Sequence, residues 1–263
     1  VSDLRTENTA QEARNMGNGA LSGAVIAVAG AGGPAGRAAL LRLAEAGATV
    51  VGADNDPERL AEAVDAARYG AGGATVTGEP VDLLDLDSTR DWALRVEKDF
   101  GRIDGVVHLV GGWRGSETFI KTSLDDWDFL ELLLIKTVQH TSLAFFEGLQ
   151  RSARGRYVLI SASSATKPTA GNAAYAAAKA AAEAWTLALA DAFRKAGGAE
   201  GPTSAAAILV VKALVHEAMR ADRPNAKFAG FTDVKDLAEA IAGVWEKPAA
   251  EVNGKRLWLT EQP

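Results

Sequence analysis

Short apolar runs alternate with helix-like stretches along most of the chain. Val25–Ala29, Ala48–Ala53, Ala74–Thr77, Val106–Val110, Tyr157–Ser161, Ala205–Val211 and Arg256–Thr260 are too brief for helices and read as buried strands. Between them, leucine and alanine spaced for one helical face predict helices. One follows Gly36 and is stopped by Gly47; others run from Pro57 to Arg68, from a Ser88 cap to Phe100, over 125–150, over 172–195 and over 233–245. Strand and helix in strict alternation predict an α/β chain, a doubly wound parallel sheet with helices on both faces and right-handed crossovers. Such a sheet gathers ligands at the carboxyl ends of its strands.

The first such unit carries the most chemistry. Val25–Ala29 runs into Gly30-Ala31-Gly32-Gly33-Pro34-Ala35-Gly36, a helix follows, and the next strand ends in Asp54. Gly30 permits the tight turn, Gly32 or Gly33 lets backbone approach a pyrophosphate, and Gly36 allows helix and strand to pack closely. The helix start at Ala35 offers unpaired N–H groups and the positive end of its dipole. Asp54, about twenty residues on, stands where a carboxylate accepts hydrogen bonds from an adenosine ribose. The unit is a candidate dinucleotide seat.

Composition narrows the rest. The 263 residues contain no linker-like segment, so one domain over 21–263 is expected, preceded by a loose arm over 1–20 with a helical tendency at 9–16. No apolar run reaches a bilayer span, and the sequence contains no cysteine, which points to a cytoplasmic protein without disulfides. A net charge of −6 argues against nucleic acid and anionic membranes as partners. His108, His140 and His216 lack ligand spacing, so no metal is expected.

In the helix after the fifth strand, Tyr175 and Lys179 are four apart and share a face, about 5–6 Å apart at Cβ. An ammonium beside a phenol favours the phenolate, and a phenol so adjusted can exchange the proton that accompanies hydride transfer at a carbonyl. With these residues the chain resembles the short-chain dehydrogenase/reductase family over nearly all of Leu21 to Thr260. The family's TGxxxGxG loop is similar to Ala29–Gly36, its adenine-side acid to Asp82, and its YxxxK to Tyr175 and Lys179. The resemblance implies a single Rossmann-type domain with strand order 3-2-1-4-5-6-7. It also implies hydride transfer to or from a carbonyl, alcohol or ring C=N of a small molecule. In that reading Tyr175 is the acid/base, Lys179 binds the nicotinamide ribose and lowers the tyrosine pKa, and Gly111 lies along the cofactor. A carboxylate at Asp54 repels a 2′-phosphate, so NAD(H) is expected over NADP(H), and neither Gly32 nor Asn55 supplies a compensating base. Family members pair through the helices expected at 125–150 and 172–195, both apolar beyond one stripe, which implies a homodimer or homotetramer; a helix buried within one subunit accounts for the alanines equally well.

The departures from the family pattern are chemical ones. His108-Leu109-Val110-Gly111 stands where the family writes NNAG, so the asparagine that ties the sheet together is missing. Leu134 falls on the family's active-site asparagine, and Ala162 on its serine; Ser163 serves only if the loop is one residue shorter, while Ser161 and Ser164 read as capping or turn residues. Asp82 reads equally as a loop carboxylate. Lys212, near the family's proline-glycine pair, is expected to be solvated or to touch a cofactor phosphate. Gly111-Gly112-Trp113 and the alanine at the serine position resemble the dihydropteridine-reductase branch, which implies a flat substrate stacked on Trp113, unless Trp113 is core. Met219, Phe228 and Phe231 belong to a segment matching the family's mobile lid, or else simply pack. Two other readings stand beside the enzyme: a catalytically impaired nucleotide-binding or regulatory protein on the same scaffold, and non-redox chemistry such as dehydration by Tyr175.

Overall fold

The computed structural model describes residues 19–262. The arm expected over 1–20, with its helical tendency, lies outside the described residues but for its last two positions. Seven parallel strands form the sheet: β1 Val25–Ala29, β2 Thr49–Asp54, β3 Val76–Pro80, β4 Gly105–His108, β5 Arg156–Ala162, β6 Ala205–Val211 and, after two short strands described below, β9 Arg256–Trp258. Their order is β3-β2-β1-β4-β5-β6-β9, the order expected, with the last strand renumbered. Register is continuous across the middle: Ala29 lies beside Ala53 and His108, and Ala162 beside Val211. β1, β4, β5 and β6 are buried along their whole length, as a parallel sheet covered on both faces requires.

Helices α1 Pro34–Glu45, α2 Pro57–Gly70 and α3 Leu86–Phe100 connect the first four strands. α4 Leu124–Arg151 and α5 Ala173–Ala196 flank β5. After β6 come β7 Leu214–Val215, α6 Glu217–Asp222, β8 Thr232–Asp233, α7 Val234–Gly243 and the short α8 Ala249–Val252. One face of the sheet packs Leu40, Leu43, Leu60, Leu237 and Ile241 of α1, α2 and α7. The other packs Trp92, Phe145, Leu149 and Phe193 of α3, α4 and α5, with Trp92 edge-on to Phe145 at 4.8 Å. Each such side chain, fully buried, contributes about 1.5–3 kcal/mol.

Several boundaries differ from expectation for physical reasons. β3 lies at 76–80 rather than 74–77: as an edge strand it shows alternating burial and accepts Pro80, whose missing N–H faces no neighbour. The cap of α3 is Asp85, which accepts from the Asp87 and Ser88 amides, so Ser88 sits inside the helix it was expected to open. Ser123 caps α4 by accepting from the Asp126 amide. By length and composition α4 could pass for a membrane span, yet Leu130, Leu134, Val138, Phe145 and Leu149 bury one side of it in this structure. Its course is interrupted by a π-helical turn over Leu132–Lys136, a widening that recurs at functional sites.

Candidate active site

The glycine loop is shaped by close approach. Gly30 has φ +81°, and a Cβ there would lie 2.8 Å from the Val110 amide. A Cβ on Gly36 would run into the Gly30 carbonyl. Pro34 occupies the first turn of α1, where no N–H is needed, and Gly33 before it is extended. The first turn holds no acidic residue and no capping side chain, and Gly33 to Gly36 line a cleft. A helix start left open in this way fits a pyrophosphate.

Asp54 is buried at the tip of β2 and accepts from the Gly32 amide at 2.9 Å and the Asp56 amide at 3.1 Å. A side chain on Gly32 would press on this carboxylate and on Arg59. Arg59 itself lines the cleft. It is a base beside the Asp54 end of the loop that the sequence reading, confined to Gly32 and Asn55, overlooked; the available signal was a cation in the first turn of α2. Asp82 accepts from the Leu84 amide in a local turn, and neither it nor Gly32 nor Asp54 is part of the cleft wall.

Tyr175 and Lys179 sit one turn apart on α5, and both line the cleft. The lysine Nζ donates to the Ile160 carbonyl at 2.8 Å and lies 5.9 Å from the centre of the tyrosine ring. Burial pushes the phenol up to about 12 and the ammonium down to about 8, the latter opposed by Glu183 one turn on. The expected lowering of the phenol pKa is therefore absent in this arrangement, because the ammonium is turned to Ile160. At neutral pH Tyr175 is a protonated phenol, a proton donor. Glu183 pairs through Oε2 with Arg256 at 2.5 Å, and its Oε1 has no partner.

Ala162 ends β5, and Ser161, Ser163 and Ser164 all line the cleft around it. Ser161 and Ser164, expected in capping or turn roles, have buried hydroxyls with no hydrogen-bond partner. Leu134 is buried with Leu130 and Ala178 against Tyr175, so an apolar group fills that position.

The missing sheet tie has a substitute. His108 Nδ1 lies 3.1 Å from Thr141 Oγ1 and Nε2 lies 3.2 Å from Thr137 Oγ1; Thr141 Oγ1 is 2.8 Å from the Tyr157 hydroxyl. The imidazole stacks on Tyr157, so one residue ties β4 to α4 and β5. Burial, helped by the Lys179 charge, pushes His108 down to about 3 and keeps it neutral. Thr137 and Thr141, four apart and so on one face of α4, were the legible sign of this network.

The cleft, about 1180 Å³, runs from the glycine loop past Gly111, Tyr175 and Lys179 to Trp113 and to the segment between β6 and α7. Met219, Phe231 and His216 line that segment, whereas Phe228 (φ +45°) packs edge-on against Phe231. Lys212 belongs to the cleft wall, is exposed, and donates to the Ala229 carbonyl at 3.2 Å. Trp113 is 62% exposed and is not a core residue. Among the described residues no three His, Cys, Asp or Glu side chains gather as a metal site.

An open helix start joined by one cleft to a half-buried tyrosine beside a buried lysine points to the class: an oxidoreductase fold of the dinucleotide-binding kind. Residues 24–197 match the family model described as short chain dehydrogenase, and the chain belongs to that family. It is similar to the (3R)-3-hydroxyacyl-CoA dehydrogenase of Canis lupus familiaris, 31% identical over 166 residues, 61% of this chain and 64% of that enzyme, so the match spans less than two thirds of the relative. It is also similar to the 3-oxoacyl-[acyl-carrier-protein] reductase of Vibrio harveyi, 25% identical over 90% of this chain and 96% of the relative. Among solved structures, the NADPH-bound short chain oxidoreductase from Pseudomonas aeruginosa with an atypical catalytic center superimposes with a TM-score of 0.81. That pair is 25% identical, over 90% of this chain and 95% of the other.

Proposed function

We propose that this protein is an NAD(H)-dependent oxidoreductase that moves a hydride to or from a carbonyl, alcohol or ring C=N of a small molecule. The observation that carries the reading is the single cleft connecting the open start of α1 to Tyr175 and Lys179. Gly30, Gly33, Ala35 and Gly36 would hold the pyrophosphate, Gly111 the cofactor's flank, and Lys179 the ribose of the nicotinamide. When bound, the nicotinamide supplies or accepts the hydride. Tyr175 Oη gives its proton to the substrate oxygen as the carbon is reduced and recovers it in the reverse direction. Its high pKa suits donation, and Lys179 stabilises the phenolate that donation leaves once its ammonium is drawn from Ile160 toward the hydroxyl.

The exposed Trp113 supports the narrower expectation of a flat substrate, as in the dihydropteridine-reductase branch. Ser163, or one of the partnerless hydroxyls of Ser161 and Ser164, takes the substrate oxygen. Met219 covers the outer end. The buried Asp54 carboxylate at the ribose end favours NAD(H), against the pull of Arg59; Asp54→Asn raises the NADPH share of kcat/KM in paired NADH and NADPH assays. Assembly through α4 and α5 is supported by the exposed Phe129, Leu132 and Leu143 and by the exposed alanines at 177, 180, 184 and 188, and sedimentation velocity reads it directly.

The deciding experiment is Tyr175→Phe. Turnover with NADH falls by about 10²–10⁴-fold while NADH binding by calorimetry is retained; unchanged turnover overturns the assignment. A second reading, a nucleotide-binding protein without catalysis, is favoured by Leu134 and by the Lys179 ammonium held on Ile160. NADH binding without turnover on a broad carbonyl panel would establish it.

A further inference from the structure

The chain as a whole carries more acids than bases, 34 against 28. The cleft wall reverses the balance: Arg59, Lys167, Lys179, Lys212 and Arg223 face a lone carboxylate, Glu261. Three of these cations have other work. Arg59 stands against Gly32 and Gly33 of the glycine loop, Lys179 is held by Ile160, and Lys212 donates to Ala229. Lys167 and Arg223 remain. Neither has a carboxylate within 4.0 Å among the described residues, whereas nearby surface arginines do: Arg220 pairs with Asp233 at 3.0 Å and Arg114 with Asp126 at 3.8 Å.

Lys167 enters the cleft wall from the loop between β5 and α5 and Arg223 from the end of α6, so two separate segments bring positive charge to the cleft that Trp113 and His216 also line. That charge is not needed by the pyrophosphate, whose seat is the backbone of α1. Ser161 and Ser164 add buried hydroxyls without protein partners on the same wall, which leaves hydrogen-bonding capacity for a ligand atom or a water. A concave wall of one sign concentrates its field on an oppositely charged guest.

We propose that the substrate half of the cleft selects a substrate bearing an anionic group, a carboxylate or a phosphate, which Lys167 and Arg223 hold while its flat body lies on Trp113. This deepens the oxidoreductase reading and rests on it for the word substrate, but the subsite itself is a binding claim. Charge-assisted hydrogen bonds from an ammonium and a guanidinium to one anion are stronger than neutral ones, and the planar guanidinium matches either oxyanion.

The test measures binding without turnover. With NADH saturating, benzoate, phenyl phosphate and benzamide are titrated into the full chain by calorimetry. The anions bind at least about tenfold more tightly than benzamide, and the preference shrinks as salt rises from about 50 to about 500 mM. The relative strength of benzoate and phenyl phosphate shows which oxyanion the subsite takes. In the Lys167→Gln/Arg223→Gln double variant the preference disappears. Equal binding of benzamide and benzoate, no binding of any of the three, or a preference that survives the double variant overturns the proposal. Anion preference in a protein that turns over no carbonyl would retain the subsite and sink the redox reading, and turnover without anion preference would do the reverse.

Discussion

The two ends of the sheet handle buried polar groups in opposite ways. At the amino-terminal edge, Asp104 is fully buried and every oxygen is used. Oδ2 accepts from the Val25 amide and Arg102 Nε, Oδ1 from Arg102 Nη2 and Ser152 Oγ, and its carbonyl from Trp245 Nε1. Burial opposes ionisation, yet hydrogen bonds from Arg102, Ser152 and Val25 hold the carboxyl below its usual range. Arg156 beside it is likewise buried and donates to the Gly155, Thr203 and Lys247 carbonyls. At the carboxyl-terminal edge, Ser161 and Ser164 each keep a buried hydroxyl without a partner. A saturated cluster holds the fold together; an unsaturated one has capacity left for a guest.

That contrast breaks first at Asp104. Asp104→Ala strands the Val25 amide and the Ser152 hydroxyl and costs about 3–5 kcal/mol in urea unfolding; a loss below about 1 kcal/mol would show that the cluster is not structural. Thr141→Val, which takes a partner from both His108 and Tyr157, costs about 2 kcal/mol by the same measurement.

The His108 network also has a pH signature. Its native pKa of about 3 lies below the ordinary 6.5, so below pH 6.5 the unfolded chain takes up a proton that the native state refuses. Stability is therefore full above that pH and is lost toward pH 3, at about 1.4 kcal/mol per pH unit for this one group. His108→Asn removes that share of the slope between pH 4 and 6, as followed by urea unfolding at a series of pH values; an unchanged slope refutes the buried neutral imidazole. Smallest is the effect of Ser161→Ala. Removing an orphan hydroxyl shifts stability by about 0.5 kcal/mol or less, while the KM for substrate rises. A large loss of stability there would place Ser161 with the structural cluster.

The periodicity of the chain made the sheet legible because a parallel strand buried on both faces is an uninterrupted apolar run, and β1 and β6 fall at the expected residues. The edge strand β3 was misplaced by two residues because only half of it is buried, so its pattern is weak. In the site, the glycine loop was legible from spacing alone, since backbone contacts need only glycine. Arg59, Lys167 and Arg223 were not, because they converge from segments far apart in sequence. The direction of the Lys179 ammonium was not legible either: four-residue spacing puts it beside Tyr175, but the Ile160 carbonyl competes for it from another strand.

The π-helical turn at Leu132–Lys136 holds one residue more than an α-helical turn would. That extra residue is taken up within the one widened turn, so the α-helical stretches before and after it keep a common angular phase. Deleting one residue there would restore plain α-helical winding and leave Thr137 and Thr141 facing the imidazole, whereas a deletion between Thr137 and Thr141 would turn the second hydroxyl away by about 100°.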